Sequence, residues 1–318
     1  MKRTRVCDLL DITYPIIQGG MLWIATAELA AGVSKAGALG VVSPLAGMQK
    51  EGLPAKNFKD QLIKIKQITQ KPYGVNIPLH LEYANTLIDI ALSNKVKIVI
   101  TAAGNPVRFT EILKKEGIKV LHVVSSVKQA LKAESCGVDA VVAVGVEAAA
   151  HTGINELPLF ALIPQVADAV SLPVVAAGGI ADARGVVAAL ALGAEGVQLG
   201  TRFVAVNENV AHMNYKQAII DANDTDTAIT CRSIVPTRSL KTAFTDTLIA
   251  LEKSGAPAED ILDFIGYRSN RTAQINGNLN SGETYCGASA GLIKEILPTQ
   301  EVVGQLVAGY QRVLRQLI

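Results

Sequence analysis

One histidine and three glycine turns are the parts of this 318-residue chain whose residue types and spacing suit chemistry. His151 sits in Gly145-Val146-Glu147-Ala148-Ala149-Ala150-His151-Thr152-Gly153, just past the apolar run Ala140 to Val144. An imidazole titrates close to neutral pH, so this ring can serve as general base or proton donor; a solvent-facing loop histidine is the competing reading. The turns are Gly19-Gly20, Gly178-Gly179 and Gly200-Thr201. Glycine at a strand end lets backbone N–H groups approach a ligand closely, and a helix N-terminus adds partial positive charge. The last two, flanking one helix, suit a phosphate, whereas ordinary βα turns would need the same glycines only for their dihedrals.

Two of these turns share the stretch from Pro173 to Arg202, around which the chain is organised. Val174-Val175-Ala176-Ala177 reads as a buried parallel strand, and Asp182 stands where a helix N-cap belongs. Gly185 to Leu190 continues at helical spacing to Gly193, and Gly196-Val197-Gln198-Leu199 is a second strand. In an eight-stranded α/β barrel the turns after strands seven and eight commonly hold a phosphate.

The same alternation runs through the preceding chain. Strands are expected at Tyr14–Gln18, Leu39–Val42, Tyr73–Ile77, Val96–Ile100, Lys119–Val124 and Ala140–Val144. Helices are expected at Thr26–Ala36, Asn57–Gln67, Asn85–Ser93, Pro106–Lys115 and Val127–Ser135. Eight strand–helix units in succession specify a (β/α)8 TIM barrel, with an open doubly wound sheet as the alternative. Beyond Arg202 the pattern changes to polar helices with no clear buried strand as far as Gln274, an insertion after strand eight. The chain therefore divides into a barrel core over 1–205, a helical lid over 206–280, and a glycine-rich return over 281–318 closed by an amphipathic helix from Glu301 to Leu317.

Composition agrees with that plan. Apolar residues make up 49% of the chain and aromatics only 4%, the small and branched mixture that fills a parallel sheet covered by helices. A net charge of +2 with dispersed Lys and Arg gives no electrostatic case for nucleic acid or a membrane surface. Cys7, Cys136, Cys231 and Cys286 form no metal or redox spacing and are read as reduced thiols. With no apolar stretch of spanning length, a soluble cytoplasmic protein is expected.

Barrel chemistry lies at the C-terminal strand ends. Here these carry Gln18 to Met21, Asn76, Thr101-Ala102, Ser125, Glu147 to His151, Gly178-Gly179 and Gly200-Thr201. No lysine among them suits a Schiff base, and no His/Asp/Glu cluster suits a metal. Amides, hydroxyls and exposed backbone suit a planar cofactor carried on a phosphate, a description that flavin mononucleotide (FMN) fits. Elsewhere, His80 follows strand three, His122 lies within a strand as a core or face residue, and His212 opens the insertion. Trp23 packs over a cofactor edge or acts as a hydrophobic plug, and Asp182 is read as an N-cap rather than a catalytic acid.

Three segments in register, Gln18-Gly19-Gly20-Met21-Leu22-Trp23, Ala177-Gly178-Gly179-Ile180-Ala181-Asp182 and Val197-Gln198-Leu199-Gly200-Thr201-Arg202-Phe203, resemble the nitronate monooxygenase family. That family was formerly called 2-nitropropane dioxygenases and includes flavin-dependent enoyl-ACP reductases. The resemblance runs from Pro15 to about Tyr215 and again over Gly282 to Ile293. It implies an FMN-binding barrel in which Gly19, Gly20 and Met21 meet the flavin ring through backbone and Asn76 hydrogen-bonds the cofactor. Ala102, Ser125 and Ala150 would lie against it, and Gly178, Gly179, Gly200 and Thr201 would hold its phosphate. His151 matches the histidine of the family's Glu-x-Gly-Gly-His-x-Gly loop, with Ala149-Ala150 in place of the two glycines.

Three activities stay open. The resemblance implies oxidation of small alkyl nitronates by oxygen, with His151 binding or deprotonating the nitro compound. As the alternative it implies an enoyl-ACP or quinone reductase fed by NAD(P)H, towards which the Gly-Gly-Met-x-Trp and Gly-Ile-Ala-Asp segments lean. A non-catalytic flavin-binding protein is the third. A reductase acting on an acyl carrier protein would want basic residues near the mouth, for which Arg232, Arg238 and Lys241 are candidates, or else a solvated helix face. A homodimer is expected from the habit of such barrels to pair.

Overall fold

The structure, a computed structural model, describes residues 1–48 and 52–317. The polar loop expected after the second strand includes residues 49–51, which lie outside the described residues. In chain order the first half comprises α1 (Arg5–Leu10), β1 (Ile16–Gln18), α2 (Ala27–Lys35), β2 (Gly40–Val42), α3 (Pro54–Ile68), β3 (Tyr73–Pro78), α4 (Ala84–Ser93), β4 (Ile98–Ala102), α5 (Val107–Lys115), β5 (Lys119–Val124), α6 (Val127–Ser135) and β6 (Ala140–Val144). Then come β7 (Ala150–His151), α7 (Leu159–Ala169), β8 (Val174–Ala177), α8 (Ala183–Ala191), β9 (Gly196–Leu199) and α9 (Thr201–Val204). The remainder is α10 (Met213–Asp221), β10 (Thr227–Thr230), β11 (Thr237–Leu240), α11 (Ala243–Lys253), α12 (Ala258–Ile265), α13 (Ser269–Gln274) and α14 (Thr299–Leu317).

Eight parallel strands form one sheet in the order β1-β9-β8-β6-β5-β4-β3-β2. A parallel bridge between Ile17 and Leu39 joins its two ends, with Gln18 N–H donating to the Leu39 carbonyl at 2.9 Å. The expected (β/α)8 barrel is thus present, and each of the eight expected strands is a barrel strand. Alternation divides the apolar residues into two cores. Ile17, Val41, Ile98, Ile100, Leu121, Val142 and Val175 belong to a core shared with Val6, Cys7 and Leu10 of α1, which plugs one end of the barrel. Ile16, Val42, Val75, Val99, Val120, Val141 and Ala176 pack instead against the surrounding helices.

The region after residue 206 departs from expectation. It does contain strands: β10 pairs antiparallel with β11, and β11 pairs antiparallel with β7. Thr227, Ala228 and Ile229 are half-buried, which is why no continuous apolar run marks the first of them. The sheet also takes a strand from before residue 206, so the histidine loop and the insertion are built together. Among the described residues no helix is long and apolar enough to cross a membrane.

Close packing of α2 on β2 yields a paired prediction. A Cβ on Gly40 would lie 1.8 Å from the Ala30 carbonyl oxygen, whereas one on Gly304 of α14 meets nothing within 4 Å. Gly40→Ala should destabilise by about 3 kcal/mol or abolish folding, while Gly304→Ala should stabilise by about 1 kcal/mol through helix propensity. Urea midpoints of the two variants check both signs.

Candidate active site

A cavity of about 1220 Å³ opens at the C-terminal ends of the barrel strands. Its wall brings together all twelve residues singled out from the sequence as cofactor-binding or catalytic, from Gly19 through His151 to Thr201. Cavities of about 300–1000 Å³ take a drug-sized ligand, so this one has room for a cofactor and a second small molecule.

The backbone shows which glycines are built for a ligand. Gly178 and Gly179 have φ of 107° and 67°, conformations that side chains other than glycine rarely take. Part of their role is packing, because a Cβ on Gly178 would come within 2.9 Å of Ala148 N. Gly200 differs: a Cβ there would meet nothing within 4 Å. The N–H groups of Gly178, Gly179 and Gly200 donate to none of the described residues. Beside them the buried Gln198 Oε1 also lacks a partner. Unpaired buried polar groups are costly, so donors and an acceptor left over around one cavity mark a place where a ligand completes them. These residues fit a phosphate-bearing cofactor.

At the first turn the free groups are fewer. Gly19 N–H donates to the Leu199 carbonyl and Met21 N–H to the Ser43 hydroxyl, at 2.9 and 3.0 Å. Gly20, which lines the cavity, has no acceptor for its N–H among the described residues. A Cβ on Gly20 would strike the Asn76 side chain at 2.5 Å, so the turn approaches Asn76 this closely only with glycine there. Asn76 in turn donates to the Ile100 carbonyl at 3.3 Å, and Ser125 Oγ bonds Gln129.

His151 ends the short strand β7 and faces the cavity. Its Nδ1 lies 2.8 Å from the Thr237 hydroxyl on β11, and its ring meets Tyr285 edge-on at 6.1 Å. Surrounding protein lowers its pKa by desolvation, and the neighbouring His80 lowers it further. The ring is therefore neutral at pH 7, the state in which it can accept a proton. Glu147, from the same loop, is not available to it: both carboxylate oxygens accept from Leu159 N–H at the start of α7.

The other candidates separate cleanly. Asp182 caps α8, accepting from Arg184 N–H at 2.8 Å. Trp23 is a plug: it is 2% exposed and its indole donates to Asn270 at 2.7 Å. His212 caps α10 by accepting from Asn214 N–H. His80 lines the cavity. His122 is buried, hydrogen-bonded to Thr101 at 2.8 Å, and pushed down to about 4 by burial.

None of the three basic residues of the insertion lies on a helix or lines the cavity. Arg238 is on strand β11 and holds the Val146 carbonyl and Thr227, while Arg232 forms a two-pronged ion pair with Glu156. Lys241 borders a separate surface pocket with Asp221 and Asp226. The lysines that do line the main cavity are Lys128 and Lys132 of α6. Sequence reasoning also missed Ser43, Thr237 and Tyr285. The Tyr285 hydroxyl donates to the buried Glu283 carboxylate at 2.8 Å and accepts from Asn270 at 3.1 Å. Burial raises the Glu283 pKa.

Ala150 carries a φ of 61°, the left-handed conformation for which glycine suffices. An alanine there costs on the order of 1 kcal/mol. Ala150→Gly should therefore raise unfolding stability by about that amount in a denaturant titration, without altering the cavity's contents. His122 generates a second expectation. Its folded pKa is depressed, so the unfolded state takes up a proton below pH 6.5 while the folded state does not until about 4. Stability falls as pH drops through that window, by up to about 3 kcal/mol, and His122→Gln should flatten the slope.

Three comparisons place this geometry among known proteins. A family model described as nitronate monooxygenase matches residues 3–87 and 78–309. A probable nitronate monooxygenase of Staphylococcus saprophyticus is 36% identical over 272 residues, covering 71% of this chain and 75% of that relative. Among solved structures, FabK from Thermotoga maritima superposes with a TM-score of 0.91 at 40% identity, over 100% of this chain and 99% of its own. Nitroalkane oxidase from Streptomyces ansochromogenes gives 0.84 at 26% identity, over 98% and 99%.

Proposed function

The chain belongs to the nitronate monooxygenase family, and we propose that it is an FMN-dependent oxidoreductase that oxidises small alkyl nitronates with oxygen. One observation carries this reading: a single cavity unites glycine N–H groups that have no partner among the described residues with an imidazole whose pKa its surroundings lower. Gly178, Gly179, Gly200 and Thr201 would hold the cofactor phosphate. Gly20 and Asn76 would meet the ring, with Gly19, Met21, Ala102, Ser125 and Ala150 packed along it. FMN, when bound, supplies the electron acceptor for the substrate and the donor for oxygen.

The protein's own chemistry centres on His151. A neutral ring takes the proton from the carbon next to a nitro group, leaving the nitronate anion beside an imidazolium that stabilises it. The apolar residues Leu22, Pro78, Leu81 and Val204 in the same wall keep the remaining volume suited to an alkyl group.

A second reading has its own support. FabK, a flavin enoyl-ACP reductase, resembles this chain over its whole length, and the cavity exceeds what a small nitronate fills. In that reading NAD(P)H is the reductant, and Lys128 and Lys132 in the cavity wall would be the cations available to a thioester's carrier arm.

Oxygen-uptake kinetics test the role of His151. His151→Asn should lower turnover of a neutral nitroalkane by about 10²- to 10⁴-fold, the range for loss of a general base, and turnover of a preformed nitronate far less. Equal losses on both substrates would contradict the base role. NAD(P)H-driven reduction of an enoyl thioester, with no nitronate turnover, would move the assignment to the reductase.

A further inference from the structure

We propose that Thr237 is a positioning residue that fixes the tautomer of His151, so that the inserted hairpin and not the barrel decides which ring nitrogen is free to work. This rests on His151 being the proton-handling group of the site.

The argument is one of proton counting. Thr237 Oγ1 lies 2.8 Å from the Val235 carbonyl oxygen and 2.8 Å from His151 Nδ1. A carbonyl only accepts, so the single hydroxyl proton is committed to Val235. The hydroxyl oxygen can then only accept from the ring, and Nδ1 must carry the proton. Were Thr237 to donate to Nδ1 instead, two oxygens would face each other at 2.8 Å with no proton between them. Among the described residues no other hydrogen bond reaches the ring, so in the neutral imidazole Nε2 keeps its lone pair. The two neighbours of the ring, His80 and the edge of Tyr285, supply no competing carboxylate.

The hairpin is tied to the histidine loop through five residue pairs. Thr237 pairs with His151 and Arg238 with Ala150 in the β11–β7 ladder. Thr152 N–H donates to the Pro236 carbonyl at 2.8 Å. Arg238 Nε reaches the Val146 carbonyl at 2.9 Å, and Arg232 grips Glu156. Val235, whose carbonyl receives the Thr237 proton, itself lines the cavity. The wall that a substrate touches and the device that sets the base are thus one piece of chain.

The test is ¹⁵N side-chain spectroscopy on the flavin-loaded protein with labelled histidine, at a pH where the ring is neutral. With only four histidines in the chain, His151→Asn assigns the signal. Wild type and Thr237→Ser should show a proton on Nδ1, and Thr237→Val should lose that preference. Nitroalkane turnover should fall at least about tenfold in the valine variant with KM changed less than about twofold, and should recover in the serine variant. A proton on Nε2 in the wild type, or an unchanged signal in Thr237→Val, would overturn the proposal. Should the signals behave as expected while no variant turns over a nitroalkane, the tautomer assignment stands and the substrate reading falls.

Discussion

Closing a barrel satisfies the backbone only for as long as the strands run side by side. Past Ala177 and Leu199 the ladder stops, and the N–H groups of Gly178, Gly179 and Gly200 are left without acceptors among the described residues. Left-handed φ values at Gly178 and Gly179 hold this arrangement, and the absence of a side chain at Gly200 keeps the space beside it open. Everything at the mouth depends on that surplus of donors. It fits an anionic group on a cofactor.

The proposed proton chemistry rests on a different part of the chain. The barrel delivers the β6 loop to the cavity rim, but two residues of strand are too few to hold a side chain in one orientation. The β10–β11 hairpin supplies the rest by adding strands to β7. Ala150 keeps a left-handed backbone in that strand without the glycine the family pattern has there. The loop tolerates the strain because the ladder, the Thr152–Pro236 bond and the Arg232–Glu156 pair hold it on the far side. A carboxylate–guanidinium fork of this kind adds geometric definition more than net stability at an exposed site.

How legible this was in the sequence follows from range. The barrel strands announce themselves as short Val/Ile/Ala runs, and their neighbours in space follow in regular order, so fold and cavity were readable from periodicity and glycine position. The cap role of Asp182 was local and readable for the same reason. Strands β10 and β11 were not, since half-buried Thr227-Ala228-Ile229 and the mixed Thr237-Arg238-Ser239-Leu240 show no apolar run. Thr237 lies 86 residues from His151 and Tyr285 lies 15 residues from Asn270, and no spacing rule links such pairs. The basic residues of the insertion misled because charge alone does not tell a cavity rim from a strand that grips a carbonyl.

The most direct test of the central claim is an anaerobic flavin spectrum of the purified protein, recorded before and after adding an alkyl nitronate with no nicotinamide present. The cavity as described predicts bound FMN and bleaching of its visible absorption by nitronate alone. A protein that carries no flavin and takes none up would contradict the reading of the glycine turns, and a flavin that nitronate leaves oxidised would contradict the substrate.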